Sequence, residues 1–283
     1  MVVEVVVGWW SGSLALLADA GHMLADAGSL VLALVAQHFA AKPRTETTTF
    51  GLRRAEVLAA FVNGIALALV ALVILKEAVE RWISPVEIHG KPMLATAAGG
   101  LLVNLLVAWV LMRGQRNLNI KAALAHVLTD ALGSVAAILA SLAVLLWGLT
   151  RADPVLSGLI ALLVAVSGWR VLRDTVGILL EGVPAHLDVS AIELMIAKCT
   201  GVASVHDLHV WSISDRFDTL TAHVTLKRGH HGTDVCRGIA ECLKSQYGLD
   251  HVTIQPEAPP PDELVLVRAG RDGAPIHGTV KAS

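Results

Sequence analysis

Five long apolar segments limit this chain to a helix bundle in a membrane. They cover residues 14–41, 56–83, 93–112, 120–149 and 154–172. Each is close to or longer than the roughly 20 apolar residues that cross a bilayer as a helix, and a backbone in lipid must satisfy its own hydrogen bonds. With 54% hydrophobic and 16% charged residues, the chain is more apolar than ordinary soluble domains. We therefore expect an all-α transmembrane domain over residues 1–183.

The positive charges of the short connections predict the orientation, because cytoplasmic loops carry the excess of Lys and Arg. The richer set of connections contains Lys42, Arg44, Arg53, Arg54, Arg113, Arg116, Lys121, Arg170 and Arg173. The alternate set contains only Lys76, Arg81, Lys91 and Arg151. Everything after Arg173 is then cytoplasmic, and the protein lies in the cell (inner) membrane. Residues 1–10 are apolar but too short to cross, so a helix largely missing at a truncated start is expected.

Two matching pairs of ionisable residues lie inside these spans. His22 and Asp26 are four residues apart in the first span, and His126 and Asp130 repeat the spacing in the fourth. Residues four apart share one face of a helix, and ionisable groups in a membrane are costly and seldom accidental. The first pair lies about 8 to 12 residues into an inward span, and the second about 6 to 10 residues into an outward span. Both pairs are therefore expected at mid-membrane, where they can share one metal ion.

Two imidazoles and two carboxylates make a complete ligand set for a tetrahedral divalent cation. The mixed set suits Zn²⁺, with Co²⁺ and Cd²⁺ as alternatives, whereas Ca²⁺ and Mg²⁺ favour more oxygen ligands. Imidazole must be neutral to bind metal, so protons and metal compete for the site. Proton-coupled antiport of a divalent metal is the predicted mechanism. Asp19, on the same helix face as His22, is expected either to orient an imidazole or to line the entry path.

The composition changes at about Pro184 to that of a small soluble domain, which we assign to residues 184–258. The patterns predict helices over residues 188–199 and 233–247, the second opening at Thr233, and strands over residues 205–214, 220–226 and 252–255. The order αββαβ predicts an antiparallel sheet with helices on one face. Residues 259–283 are expected to be a disordered tail. The three cysteines, Cys199, Cys236 and Cys242, lack paired spacing and favour reduced cytosolic thiols.

Three strings in the membrane part resemble the cation diffusion facilitators. SLALLADAGHMLAD at residues 13–26 resembles their second transmembrane helix, FGLRRAEVLAAFVNG at residues 50–64 the entry to their third, and HVLTD at residues 126–130 the metal-binding motif of their fifth. The resemblance implies a homodimer whose protomers each have six transmembrane helices and a ferredoxin-like α+β cytosolic domain. It also implies export of zinc or similar cations in exchange for protons, and the paired His-Asp site resembles the zinc-preferring branch.

The resemblance further implies a second metal site in the cytosolic domain. In the family, positions matching His209, His223 and Glu257 gather a second metal near the dimer interface. Positions matching His206, Asp250 and His251 are used by some members. Spacing alone is less decisive, because His206 and His209 have opposite strand parity and face one site only across a bulge. Zn²⁺ bound there would stiffen the dimer and regulate transport.

Other functional classes fit the sequence less well. The chain has no His-Glu-x-x-His string of a zinc protease and no Walker A motif, so a membrane cation transporter is expected rather than an enzyme. The formal net charge of −2 gives no reason to expect a nucleic-acid partner. An ion channel would need a continuous pore in place of a closed tetrahedral site. The alternative that remains is an N-terminally truncated homologue that binds or senses metal without transporting it.

Overall fold

The computed structural model of the protein describes residues 1–113, 118–215, 217–249, 251–259, 266–269 and 275–278. The chain forms two compact units, Met1–Gly177 and Ile178–Ser283. The first is a helical bundle and the second contains a small α+β domain. This agrees with the predicted combination of a transmembrane bundle and a ferredoxin-like domain.

The bundle contains one short helix and five long ones in the described part of the chain. They are α1 (Val2–Ser11), α2 (Leu14–Ala40), α3 (Arg54–Ile83), α4 (Gly90–Arg113), α5 (Leu118–Trp147) and α6 (Ala152–Leu179). Helices α2 to α6 are long and apolar enough to cross a membrane, as the sequence predicts. Gly12 ends α1 in the left-handed conformation at φ 73°, and the Ser13 hydroxyl caps α2 by accepting from the Leu16 backbone N–H.

Small side chains fill the contacts between the long helices. Helix α2 packs against α3 and α5, and α4 packs along α5. The fully buried alanines of the bundle include Ala15, Ala18, Ala71, Ala140 and Ala161. Lipid tails are as apolar as leucine, so helices in a membrane associate through close packing of small residues. Many large aliphatic side chains are exposed on the outer faces of the helices, where lipid can cover them.

A buried carboxylate on α6 fixes the beginning of α2. The side chain of Asp153 is fully buried. Its Oδ1 accepts from the Ser13 hydroxyl at 2.8 Å and from the Ala15 backbone N–H at 3.1 Å, and its Oδ2 accepts from the Leu14 backbone N–H at 2.7 Å. The first N–H groups of a helix have no partner within it, so Asp153 caps α2 from a different helix. The helix that carries His22 and Asp26 is thereby attached to α6.

The second unit begins with a helix and a three-stranded sheet. Its elements are α7 (Val189–Lys198), β1 (Val202–Ser214), β2 (Phe217–Leu226), α8 (Gly232–Tyr247) and β3 (His251–Glu257). Helix α8 begins at Gly232 with His231 in the capping position, one residue before the predicted Thr233. The core is formed by Ile192 and Ile196 of α7, Ile239 and Leu243 of α8, and Leu220 and Val224 of β2, all completely buried.

The sheet is mixed, which corrects the prediction of an antiparallel sheet. Its strand order is β1-β2-β3, with β1 antiparallel to β2 and β3 parallel to β2. The connection between β2 and β3 contains α8, and a helical crossover returns the chain to the same end of the sheet, so the two strands run in one direction. Farther along, β4 (Leu266–Ala269) and β5 (Pro275–Gly278) form an antiparallel pair. Regular structure therefore occurs within the segment expected to be a disordered tail.

Candidate metal centres

Two neighbouring helices bring the four membrane residues together. Helix α2 supplies His22 and Asp26, and α5 supplies His126 and Asp130. His22 Nε2 lies 3.4 Å from Asp26 Oδ2 and 3.8 Å from Asp130 Oδ1. His126 Nε2 lies 3.6 Å from Asp26 Oδ2 and 3.6 Å from Asp130 Oδ2. Each imidazole nitrogen therefore faces both carboxylates, and the four side chains form a closed ring.

The distances between imidazole and carboxylate atoms in the ring are close to those between two ligands of one cation. Ligands about 2.0 to 2.2 Å from Zn²⁺ at tetrahedral angles lie about 3.3 to 3.6 Å from each other. Hydrogen bonds between nitrogen and oxygen are shorter, at about 2.7 to 3.2 Å. The four distances in the ring match the first range more closely than the second. One donor atom each from His22, Asp26 and Asp130 falls within 4.8 Å of the others, but His126 does not complete this set within the same distance.

Several atoms of the ring have no hydrogen-bond partner among the described residues. They are His22 Nδ1, Asp26 Oδ2 and Asp130 Oδ1, and all three are buried. Buried polar atoms are nearly always paired, so the unpaired Asp26 Oδ2 and Asp130 Oδ1, which face an imidazole, indicate a site for an ion. His22 Nδ1 is not one of the atoms that face the carboxylates, since His22 contacts them through Nε2. His126 is the most accessible member, with 52% of its side chain exposed, against 18% for His22 and 14% for Asp130.

Asp19 lies beside this ring without belonging to it. Its side chain is buried and points at α5, where a Cβ added to Gly133 would lie 2.9 Å from Asp19 Oδ1. Only the bare backbone of Gly133 leaves room for the carboxylate. Since His22 Nδ1 has no partner among the described residues, Asp19 does not orient that imidazole in this conformation. Its place on the entry path stays a prediction.

A second cluster lies on the sheet of the cytosolic unit. His206 of β1 is the direct cross-strand partner of His223 of β2, and Glu257 comes from β3. Glu257 Oε2 lies 3.1 Å from His206 Nε2, and Glu257 Oε1 lies 2.9 Å from His223 Nδ1. These three residues present donor atoms close enough to hold one metal ion.

A bulge decides which histidine of β1 joins the cluster. The register between β1 and β2 shifts between His206 and His209, and Asp207 has a left-handed φ of 50°. Asp207 Oδ1 lies 2.9 Å from His209 Nε2, while its Oδ2 lies 3.6 Å from His223 Nε2. His209 therefore contacts Asp207 rather than Glu257, and His206 takes the position that the family resemblance gives to His209.

The remaining residues expected in the cytosolic site are not part of the cluster in the described structure. His251 pairs with Thr219 at the start of β3 and its ring lies 5.6 Å from that of Phe217. Asp250 lies outside the described residues. Asp207 is the contributor that the sequence analysis did not identify. Its position directly after His206 was a signal, but only the bulge turns its carboxylate toward the two histidines.

Both units are similar to domains of known cation efflux proteins. Residues 1–180 match the family model of the cation efflux transmembrane domain, and residues 184–259 match that of the cation efflux protein cytoplasmic domain. Over 263 residues, the chain is 46% identical to the zinc transporter ZitB of Escherichia coli (strain K12), covering 92% of this chain and 84% of that protein. It is 43% identical to the cadmium, cobalt and zinc/H(+)-K(+) antiporter of Bacillus subtilis (strain 168), and this match covers 91% of this chain and 84% of that protein.

Among solved structures, the metal-bound C-terminal domain of the CzcD transporter from Cupriavidus metallidurans is 32% identical. The match covers 25% of this chain and 99% of that chain, with a TM-score of 0.24.

Proposed function

Since the chain belongs to the cation efflux family, as its motifs predict, we propose that it exports Zn²⁺ from the cytoplasm in exchange for protons. It is a multi-pass inner-membrane protein with a cytoplasmic C-terminal domain. The observation that carries the proposal is the ring of His22, Asp26, His126 and Asp130, with its buried and unpaired donor atoms.

The donor chemistry supports zinc as the principal substrate. Two nitrogen and two oxygen donors suit Zn²⁺, and leave too few oxygens for Ca²⁺ or Mg²⁺. The names of the relatives agree, since one is a zinc transporter and the other carries cadmium, cobalt and zinc. Cd²⁺ and Co²⁺ are therefore proposed as secondary substrates of the same ring.

Charge balance supports the exchange of metal for protons. With both imidazoles neutral, the two carboxylates give the ring a charge of −2, which is costly away from water. One Zn²⁺ cancels this charge. Two protons, one on each imidazole, cancel it equally well, because each protonated Nε2 then faces two carboxylates at 3.4 to 3.8 Å. The ring thus exchanges one zinc ion for two protons without a buried net charge in either state.

We further propose that the cytosolic cluster is a regulatory zinc site in a homodimer. His206, His223 and Glu257 are the ligands, and Asp207 orients the ring of His223 through the nitrogen that faces away from Glu257. A carboxylate beside a metal-binding imidazole favours one orientation of the ring and raises its basicity. Zinc at this cluster ties β1, β2 and β3 together and stiffens the cytosolic domain.

The test is zinc uptake into inverted membrane vesicles with and without an imposed proton gradient. Uptake should rise when the vesicle interior is acidic and collapse when a protonophore removes the gradient. Uptake that is insensitive to the gradient would indicate a channel and contradict antiport. Zinc binding without any uptake would favour a metal-binding homologue that does not transport.

A further inference from the structure

A groove between α1, α2 and α3 lies apart from both candidate metal centres. It has a volume of about 770 Å³, within the range of about 300 to 1,000 Å³ that is typical of ligand sites. Its lining is mostly apolar and includes Leu17, Val70 and Val73. Among the described residues that line it, only Glu77 and Arg81 are charged. The groove therefore combines an apolar wall with one pair of opposite charges.

Close contacts between the three helices bound this groove. A Cβ added to Gly8 would lie 3.1 Å from Leu17 Cδ2, so α1 packs directly on α2. A Cβ added to Gly21 would lie 3.3 Å from Val70 Cγ1, where α2 meets α3. Leu17 and Gly21 are four residues apart, on one face of α2. A molecule in the groove therefore packs against the turn of α2 that comes just before His22.

The length of the groove matches one leaflet of the membrane. Its lining residues on α3 run from Leu69 to Arg81, which is about 18 Å at 1.5 Å per residue. Half of the hydrocarbon core of a bilayer is about 15 Å thick. In the orientation predicted from the loop charges, Arg81 lies at the outer surface and Leu69 near the bilayer centre. Trp9, which also lines the groove, is 82% exposed, and indole rings favour the membrane interface.

The two charged residues stand at the outer end of the groove. Arg81 Nε donates to Glu77 Oε1 at 2.9 Å, and Arg81 Nη1 donates to the carbonyl oxygen of Gly12. A guanidinium carries five N–H groups, and these two bonds use two of them. The side chain of Glu77 is 42% exposed, so its carboxylate is accessible to a ligand. A cation and an anion side by side match a headgroup that itself carries both charges.

We propose that this groove binds one phospholipid of the outer leaflet whose headgroup carries a phosphate and a primary amine. The phosphate binds Arg81, the amine donates to Glu77, and one acyl chain lies along the apolar wall. An anionic lipid without an amine is disfavoured because Glu77 repels its charge. A quaternary ammonium headgroup is disfavoured because it has no N–H group to donate to the Glu77 carboxylate.

Helix α3 itself provides matched controls for both parts of the site. Lys76 and Glu80 form a second ion pair with the same four-residue spacing, at 3.2 Å from Nζ to Oε1, but neither lines the groove. Leu72 is an exposed apolar residue next to Val73, and it is also not part of the lining. Changes at these residues alter the charge or size of the lipid-facing surface without altering the groove.

The test is native mass spectrometry of the full-length protein in detergent, stripped of lipid and titrated separately with phosphatidylethanolamine, phosphatidylcholine and phosphatidylglycerol. The parent protein should bind one phosphatidylethanolamine at least about 10-fold more tightly than either other lipid, because charge-assisted hydrogen bonds are the strong ones. Glu77→Gln should lower this affinity to that for phosphatidylcholine, whereas Glu80→Gln should bind as the parent does. Val73→Phe, which fills the groove, should weaken binding several-fold, and Leu72→Phe should not.

Circular dichroism of each variant establishes that it is folded. Equal affinities of the parent protein for the three lipids, or a preference for phosphatidylethanolamine that survives in Glu77→Gln, would overturn the proposal. Fewer dimers in Val73→Phe with unchanged lipid binding would also overturn it, and would assign the groove to a second copy of the chain. None of these measurements requires zinc flux, so the outcome is independent of the proposed transport.

Discussion

At the scale of single residues, the membrane centre depends on four side chains whose donor atoms face each other. Asp26 Oδ2 is approached by both imidazoles, at 3.4 Å from His22 Nε2 and 3.6 Å from His126 Nε2. Loss of one donor leaves the other three with an incomplete coordination sphere.

Substituting His126 should abolish high-affinity zinc transport. His126→Ala removes one of the two nitrogen donors while leaving α5 free to form, since alanine favours helices. Uptake in proteoliposomes should fall by at least about 10-fold, and membrane insertion and dimerisation should be retained. His38→Ala, at the far end of α2, is the matched control and should transport normally. Undiminished zinc flux in the His126 variant would rule out the ring as the transport site.

Substituting Asp207 should affect the cytosolic site alone. Asp207→Asn keeps a residue type that tolerates the left-handed backbone but removes the charge that faces His223. Zinc affinity at the cytosolic cluster, measured by equilibrium binding in an Asp130→Asn background, should fall by about 10-fold or more. Asp215→Asn, in the exposed turn after β1, should bind zinc as the parent does. Equal affinity in all three proteins would show that Asp207 does not orient the ligand.

The membrane site could be anticipated from sequence more fully than the cytosolic one. The four-residue spacing fixes which face of a helix His22 and Asp26 share, so the structure brings together the residues expected. In the cytosolic domain, the bulge at Asp207 changes the parity of β1 and exchanges His209 for His206. Strand parity showed that His206 and His209 could face one site only across a bulge, but nothing in the local pattern showed whether or where a bulge occurs.

At the scale of helices and strands, two contacts attach α6 to the rest of the bundle. The cap from Asp153 attaches α2 to α6. At the crossing of α3 and α6, an added Cβ at Gly64 would lie 2.9 Å from Leu172 Cγ, and one at Gly168 would lie 3.1 Å from Leu67 Cβ. Both contacts involve α6, which therefore holds α2 and α3 in place.

Removing the cap should destabilise the bundle. Asp153→Ala leaves the Leu14 and Ala15 N–H groups without their acceptor, and each lost buried hydrogen bond costs about 1 to 3 kcal/mol. The unfolding temperature in detergent should fall clearly. Asp188→Ala removes an exposed cap from α7 and should cost only about 1 kcal/mol. A smaller effect at Asp153 than at Asp188 would show that α2 is not held by this carboxylate.

Enlarging Gly64 should separate α3 from α6. Gly64→Ala introduces a methyl group into a space already occupied by Leu172, and overpacking costs about 1 to 3 kcal/mol. Gly99→Ala is the comparison, because an added Cβ there meets nothing within 4 Å. Thermal unfolding of the two variants side by side measures the difference. Equal unfolding temperatures would mean that the α3–α6 crossing is looser than the structure indicates.

The helices were predictable and the sheet was only partly so. A single apolar span in lipid satisfies its backbone hydrogen bonds by forming a helix. Helices α2 to α6 therefore appear where hydropathy predicts them. The strand with which β3 pairs, and its direction, depend on where α8 returns the chain. The sequence pattern within β3 does not indicate either. The cap from Asp153 to α2 joins residues far apart in sequence and left no local pattern to detect.

At the scale of the whole molecule, the proposed exchange in the membrane and the proposed metal binding in the cytosolic domain use different donor sets. The ring on α2 and α5 combines nitrogen and oxygen donors, which we propose accept either zinc or protons. The cluster on the sheet combines two histidines with a glutamate. The sequence predicts the two as separate sites.

The most direct test records zinc entry and proton exit simultaneously in proteoliposomes containing the purified full-length protein. Coupled antiport at the ring predicts about two protons released per zinc ion taken up, the number of imidazoles that must deprotonate to bind metal. Both fluxes should disappear together in Asp26→Asn and persist in Glu80→Gln, whose carboxylate forms an exposed pair with Lys76. Zinc entry without proton exit, or coupled flux that survives in Asp26→Asn, would contradict the account.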